Sequence, residues 1–429
     1  MKKEFIFNIL MLLTMSTFIA CSSSDDTTEA GDDDSIILLS GTDVQLTEDQ
    51  QVLSQRANDF AFNLFRTANN LQKDNSNILL SPISAIYTLG MLNSGANGET
   101  AKEITSVLGF NNSNSKETNE FCKKIMNEIP NTDPNVILKV ANYIAANNKY
   151  GLVFENQYEK DMRNYYSAEL AMLDFTQSSD LSTIDNWCNT HTDGLISKMS
   201  EQITPSTRLA ILNATYFKAA WVNKFNKKNT RSEVFYTEDG KQKEVEMMHQ
   251  NFFGQYWQND IYATLCMHYG AGYNWNMYIL LPNKGKTTDD VINQLSKTNW
   301  ENTHGFTRSS IVDTKLPKFV LNKEVDLKPI IEQMGAPIIF NDYAEFTKMF
   351  VNAKQLKVDK LIQKNLTLIN EDGAEAAAVT IAGLKESSMG GSSNIEYQKV
   401  DFHCDRPFVY FIKESSSNTI FFIGTFRGE

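Results

Sequence analysis

The sequence predicts an α+β protein, and three observations predict it. Long apolar strands and amphipathic helices are mixed along the chain without the strand-helix-strand rhythm of a parallel sheet. The chain closes with two apolar strands, Phe408–Ile412 and Thr419–Phe426, joined by the polar stretch KESSSN, a hairpin signature. Of the 429 residues, 41% are hydrophobic and 21% charged, which suffices for a sizeable core.

The elements follow in order. Leu53–Leu71 carries Phe60, Leu64 and Phe65 at helical spacing. Asn77–Leu80 reads as a short strand. Ser81-Pro82 is a helix start, a Ser cap with Pro at the first helical position, and this helix runs past Met91 to break at Gly95. A second helix starts near Gly98 and ends at Gly109. Residues 136–147 alternate as a strand, 156–167 read as a helix, and 208–218 as a buried strand. Hairpins fill 230–282, with a turn at Glu238-Asp239-Gly240 and an apolar strand at Tyr273–Leu281. Thr288–Ser296 is a helix, Lys315–Leu321 a strand, and Leu327–Met334 a short helix after Asn322-Lys323-Glu324.

The N-terminus is not part of this body. A basic head, Lys2-Lys3, precedes a short apolar run from Phe5 to Ala20, too short for a convincing membrane span. Phe18-Ile19-Ala20-Cys21 resembles a bacterial lipobox. Residues 1–20 are therefore expected to be a lipoprotein signal peptide, with Cys21 the lipidated first residue of the mature chain. Ser22 after the Cys resembles outer-membrane sorting, and Asp25-Asp26 resembles the surface-export signals of some bacterial lipoproteins. Residues 22–49 hold nine acids and no Lys or Arg, so 21–49 is expected to be a solvated, disordered tether, leaving 50–429 as the folded domain. The chain carries −12; without those nine acids and the +1 of the signal, the body carries only −4. Nothing here is a platform for nucleic acid.

Enzyme motifs are missing. There is no G-x-S-x-G, H-E-x-x-H, Walker loop or dinucleotide fingerprint, so no catalytic residue is assigned. Cys266-x-His268 and His403-Cys404 lack the paired-ligand spacing of a zinc site, and neither metal nor cofactor is expected. Cys122, Cys188, Cys266 and Cys404 lie far apart and read as buried thiols. No specific disulfide is assigned.

Five stretches, in order, resemble the serpin family over nearly all of residues 50–429. They are NILLSPISAIYTLGMLNSGANGETAKEI, RLAILNATYFKAAWVNKFNKKNTRSEVFY, VDTKLPKFVLNKEVDLKPIIEQMGAPIIFNDYAEFTKM, LINEDGAEAAAV and FHCDRPFVYFIKESSSNTIFFIGTF. The resemblance implies a single domain of about nine helices and three sheets, with an exposed reactive-centre loop at about residues 370–400. It implies a suicide inhibitor of serine or cysteine proteases, monomeric, held to the membrane only by the lipid anchor. The protease attacks the loop, forms an acyl-enzyme, and is trapped when the cut loop inserts into the central sheet. Insertion of a serpin loop is a known conformational mechanism. The alternative is a non-inhibitory member acting as a binding or structural envelope protein.

The hinge implied is Glu371, Gly373, Ala374, Glu375, Ala376, Ala377 and Ala378. Along an inserting strand Ala374, Ala376, Ala378 and Thr380 share one face, and Glu375, Ala377, Val379 and Ile381 the other. The first series is small throughout and enters a packed sheet without overpacking. Many inhibitory members have Thr or Ser where this chain has Ala374. The family's cluster of two Ser, an Asn and a His beneath the sheet maps to Ser81, Ser84, Asn213 and Gln363. Gln donates and accepts as His does, but does not titrate. Trp221 matches the Trp where insertion begins. Family spacing puts the scissile bond at Ser387–Ser388, but the loop is longer than usual when measured back from Pro407. The window therefore stays open to Leu384, Lys385, Glu386 and Met389; Lys385 would attract a trypsin-like enzyme, Leu384 or Met389 a chymotrypsin- or elastase-like one, and Ser387 an elastase- or subtilisin-like one.

Overall fold

The structure is a computed structural model and describes residues 41–110, 114–296, 300, 308–352, 356–374 and 397–428. Cys21, hinge residues Glu375, Ala376, Ala377 and Ala378, and the window Leu384–Met389 lie outside the described residues. The described chain belongs to one compact unit, Leu39–Glu429.

The predicted boundary at residue 50 is too late. Helix α1 (Glu48–Leu71) starts on a Thr47/Gln50 capping box. Upstream, the Thr42 N–H donates to the Thr132 carbonyl at 2.8 Å and Val44 is buried. Val44 and Leu46 provide an apolar anchor that the acidic composition of the tether conceals.

A six-stranded sheet organises the molecule. Its order is β10 (Phe319–Asp326), β11 (Lys360–Asn370), β12 (Gly373–Ala374), β4 (Leu209–Ala220), β2 (Val136–Asn147) and β3 (Glu169–Leu173). Alternation assigns its two faces. On β4, Ile211, Phe217 and Ala219 enter the main core, while Leu212, Ala214 and Tyr216 pack with Ile184 and Trp187 of α6 (Ser178–His191). Helix α2 (Pro82–Gly95) lies under the first face. It is apolar all round and almost wholly buried, as a central helix must be.

The remaining strands are β1 (Leu79–Leu80), β15 (Thr419–Phe426), β14 (Phe408–Glu414), β8 (Trp275–Pro282), β7 (Tyr262–Tyr269), β6 (Gln242–Gln258), β9 (Arg308–Pro317) and β13 (Lys399–His403), with β5 (Arg231–Tyr236) on β6. Three sheets are expected from sequence. Here two of them run together, because the 17-residue β6 pairs with β5 and β9 along most of its length and with β7 at its end.

The single strand predicted at 315–321 is two strands in different sheets. Pro317, which has no N–H to donate, ends β9, and the Lys318 N–H turns to the Glu246 carbonyl at 2.8 Å. Asn322–Glu324 lies within β10 rather than leading into a helix. The other helices are α3 (Gly98–Leu108), α4 (Ser115–Glu128), α5 (Asn156–Tyr166), α7 (Thr288–Gln294) and α8 (Lys328–Met334). That makes eight among the described residues. None of them is long and apolar enough to cross a membrane. The four described cysteines are buried and unbonded, and burial pushes the thiols of Cys122, Cys188 and Cys266 up to about 12.

Candidate functional site

The site is a seam in the central sheet. Strands β11 and β4 run parallel, paired from Lys360↔Ala210 to Leu366↔Tyr216. Above that point they part. Gly373-Ala374 sits between them, antiparallel to both, with Ile369↔Ala374 on one side and Ala374↔Ala219 on the other. The first two residues of a new central strand are thus already in place. Ala374 is fully buried on the core face with Ile369 and Ala219, the face assigned to it from alternation.

Local chemistry fixes this head. The Asn370 side-chain oxygen accepts from the N–H groups of Asp372 (2.9 Å) and Gly373 (3.1 Å), which turns the chain back on itself. Gly373 has φ +142°, a region side chains rarely adopt. A Cβ there would overlap the Ala219 carbonyl oxygen and lie 2.7 Å from Ala220 Cα. Trp221 is fully buried and stacks on Tyr269, with ring centroids 4.0 Å apart. Its indole N–H donates to the Asn370 carbonyl at 2.9 Å, and its main-chain N–H to the Asp372 carbonyl at 2.9 Å. The sequence position of Trp221 therefore corresponds to direct contact with the hinge.

Glu371 is buried. It accepts from the Thr230 hydroxyl at 2.8 Å and pairs with Lys318 at 3.2 Å. Burial opposes its ionisation. A main-chain N–H, the Thr230 hydroxyl and the Lys318 ammonium outweigh that and hold the carboxyl below its usual value. Asp372 pairs with the exposed Lys227 at 2.7 Å. A cavity of about 890 Å³ opens between Lys318–Val320 and Leu368–Asp372, so the turn borders open space on the β10 side.

The middle of the seam carries the four mapped polar residues, all fully buried, but in two networks rather than one. In the first, the Gln363 side chain spans the main chain of Ser81, accepting from its N–H (2.9 Å) and donating to its carbonyl (2.8 Å). Asn365 donates to the Gln363 oxygen at 2.8 Å. In the second, Ser84 and Thr215 hydroxyls meet at 2.6 Å, Thr215 donates to Asn213 at 2.9 Å, and Asn213 donates to Asn142 at 2.8 Å. The predicted Ser81 side-chain cap is not made. Among the described residues its buried Oγ has no partner. Sequence reasoning missed Asn142, Thr215 and Asn365. The period of two was the available signal, since Thr215 and Asn365 follow Asn213 and Gln363 on the same face and sit opposite one another.

Similarity to known proteins agrees with this architecture. The family model "Serpin (serine protease inhibitor)" matches residues 55–428. Serpin B6 of Pongo abelii is 29% identical over 388 residues, covering 87% of this chain and 99% of its own. Human Serpin B4 is 30% identical over 396 residues, covering 87% and 98%. Among solved structures, the thermophilic serpin tengpin in its native state matches with a TM-score of 0.78 at 24% identity, over 90% of this chain and 96% of its own. Human thyroxine-binding globulin, solved as its complex with thyroxine, matches at 0.78 and 25% identity, over 88% and 98%. The fold, the parted seam and these similarities have one reading: the chain belongs to the serpin family.

Proposed function

We propose that this serpin is a suicide inhibitor, not an enzyme, acting on serine endopeptidases and, through the same acyl chemistry, on cysteine endopeptidases. One observation carries the reading: the β11–β4 seam is a parallel pair already opened at its head by antiparallel hinge residues. A parallel pair is the weaker ladder per residue. An antiparallel strand inserted along its length exchanges that one ladder for two, at a net gain of about 0.5–1.5 kcal/mol per added hydrogen bond.

Continuing the β12 register sets each incoming residue against known neighbours. Glu375 falls beside Lys218 and Leu368, on the face away from the core. Ala376 falls between Phe217 and Thr367, Ala378 between Thr215 and Asn365, and Thr380 between Asn213 and Gln363. Val379 and Ile381 turn to the α6 side, Val379 between Ala214 and Lys364 and Ile381 between Leu212 and Ile362. The one charge in the segment thus enters next to a Lys at the rim, and only small or apolar groups go deeper.

Incubation with trypsin, elastase and subtilisin tests the proposal. A complex that survives SDS is expected with at least one of them, together with a large rise in thermal midpoint of the cleaved chain. Clean cleavage with neither would favour the non-inhibitory reading. Mass spectrometry of the released fragment should place the cut between Leu384 and Met389, with Ser387–Ser388 first. Anchorage through Cys21 in the outer membrane belongs to the same proposal. It rests on the lipobox-like sequence, and a Cys21→Ser chain that still partitions with membranes would sink it.

A further inference from the structure

Outside the seam, one cluster of side chains has unbalanced chemistry. Strands β9 and β13 pair in parallel, with Asp313 directly opposite Asp401. Like charges in directly opposed positions repel. Asp401 is exposed and makes no hydrogen bond or ion pair among the described residues. The Asp313 carboxylate meets His403 Nε2 at 3.1 Å. Lys315, on the same face two residues along β9 and opposite His403, does not neutralise the pair, because its ammonium is engaged by Glu233 at 2.9 Å. The donor atoms of Asp313, Asp401 and His403 lie within 4.8 Å of one another. Asn251 stands opposite Asp313 on the neighbouring strand β6, on the same exposed face.

We propose that Asp313, Asp401 and His403 bind a divalent cation of the zinc class and so clip β13 to β9. One imidazole nitrogen and two carboxylates suit zinc, whereas calcium and magnesium favour all-oxygen sets. Three protein ligands leave a position for water, or for the Asn251 side-chain oxygen. The clip has a mechanical meaning. Among the described residues β13 is an edge strand of five residues with β9 as its one neighbour in the sheet, and it receives the chain as it returns from the segment after β12. A metal bridging the two strands resists peeling of β13 at that point. Sequence spacing does not reveal the site, because 90 residues separate Asp313 from His403.

The test is calorimetric titration of the full, chelator-stripped chain with zinc, paired with hydrogen exchange. One equivalent is expected to bind at the cluster, and both Asp401→Asn and His403→Gln should weaken it at least tenfold. Zinc should slow exchange of residues 399–403 in the parent and not in the variants. Without metal, Asp401→Asn removes the repulsion, so its thermal midpoint should equal or exceed the parent's. A folding defect would lower it. Absent binding, isotherms unchanged by the substitutions, or protection elsewhere than β13 would overturn the proposal.

Discussion

The head and the middle of the β11–β4 seam lie on one face of one sheet, yet different chemistry holds them. The head uses charge and aromatic surface: Glu371 with Lys318, Asp372 with Lys227, and Trp221 on Tyr269. The middle uses neutral amides and hydroxyls, fully buried, in the Gln363–Ser81 and Ser84–Thr215–Asn213–Asn142 networks. The difference teaches a division of labour. Charged groups at a half-open rim respond to pH and salt, and they hold the hinge. Neutral buried groups respond to neither, and they hold β11 against β4 where the pair is closed.

The strongest way to break this contrast is to block the head. Ala374 is fully buried between Ile369 and Ala219, so Ala374→Arg has no room and no counter-charge there. Under the proposed trapping mechanism, the substitution should abolish the SDS-stable complex while the rate of loop cleavage stays near the parent's, leaving a plain substrate. The ratio of complex to cleaved chain on a denaturing gel measures it. An undiminished yield would mean that Ala374 need not remain in the sheet.

A smaller effect is expected in the middle. Asn213→Ala strands the Asn142 side-chain oxygen and takes the acceptor from the Thr215 hydroxyl, which keeps Ser84, while the Asn142 amide keeps the Tyr166 carbonyl. The cost is on the order of 2 kcal/mol, at roughly 1–3 kcal/mol per stranded group. Thermal unfolding should show the loss, and the loss should be the same from about pH 5 to about pH 9 and at low and high salt, since no group in the network titrates there. A loss that varies with pH would mean that charge reaches the middle after all.

Part of this was legible in the sequence. The alternation after Gly373 assigned Ala374 to the core face because a strand has one period and one charge, Glu375, marks the other face. Trp221 and Asn213 were visible because they sit inside a long family-like stretch, and Gln363 because the resemblance maps it to the family's His. The split of Asn213 and Gln363 into two networks was not visible. It depends on where α2 presents the Ser81 main chain and the Ser84 hydroxyl, which is a matter of packing between elements 130 or more residues apart. The break at Lys318 was hidden for a related reason. Apolar periodicity continues through it, and only the change of partner, from β6 to β11, shows that one strand has ended. Partners of Glu371 were equally hidden, as Thr230 and Lys318 come from distant segments.

The mildest test separates the two ion pairs of the head from each other. Because the Glu371 carboxyl is held below its usual value, its contribution is complete above about pH 4.5 and is lost as pH falls through the lowered folded value. Glu371→Gln keeps an acceptor for Thr230 but loses the charge that Lys318 meets. Its thermal midpoint should lie a few degrees below the parent's at neutral pH, and the two should converge in acid, as pH falls through that lowered value. Lys227→Ala should behave differently. Its ammonium is exposed and its pair with Asp372 is open to solvent and salt, so the midpoint should not move measurably at any pH. If Lys227→Ala proved as costly as Glu371→Gln, burial would not be what makes the head's charges matter. The hinge would then be held by the sum of its rim charges, whichever of them the solvent reaches.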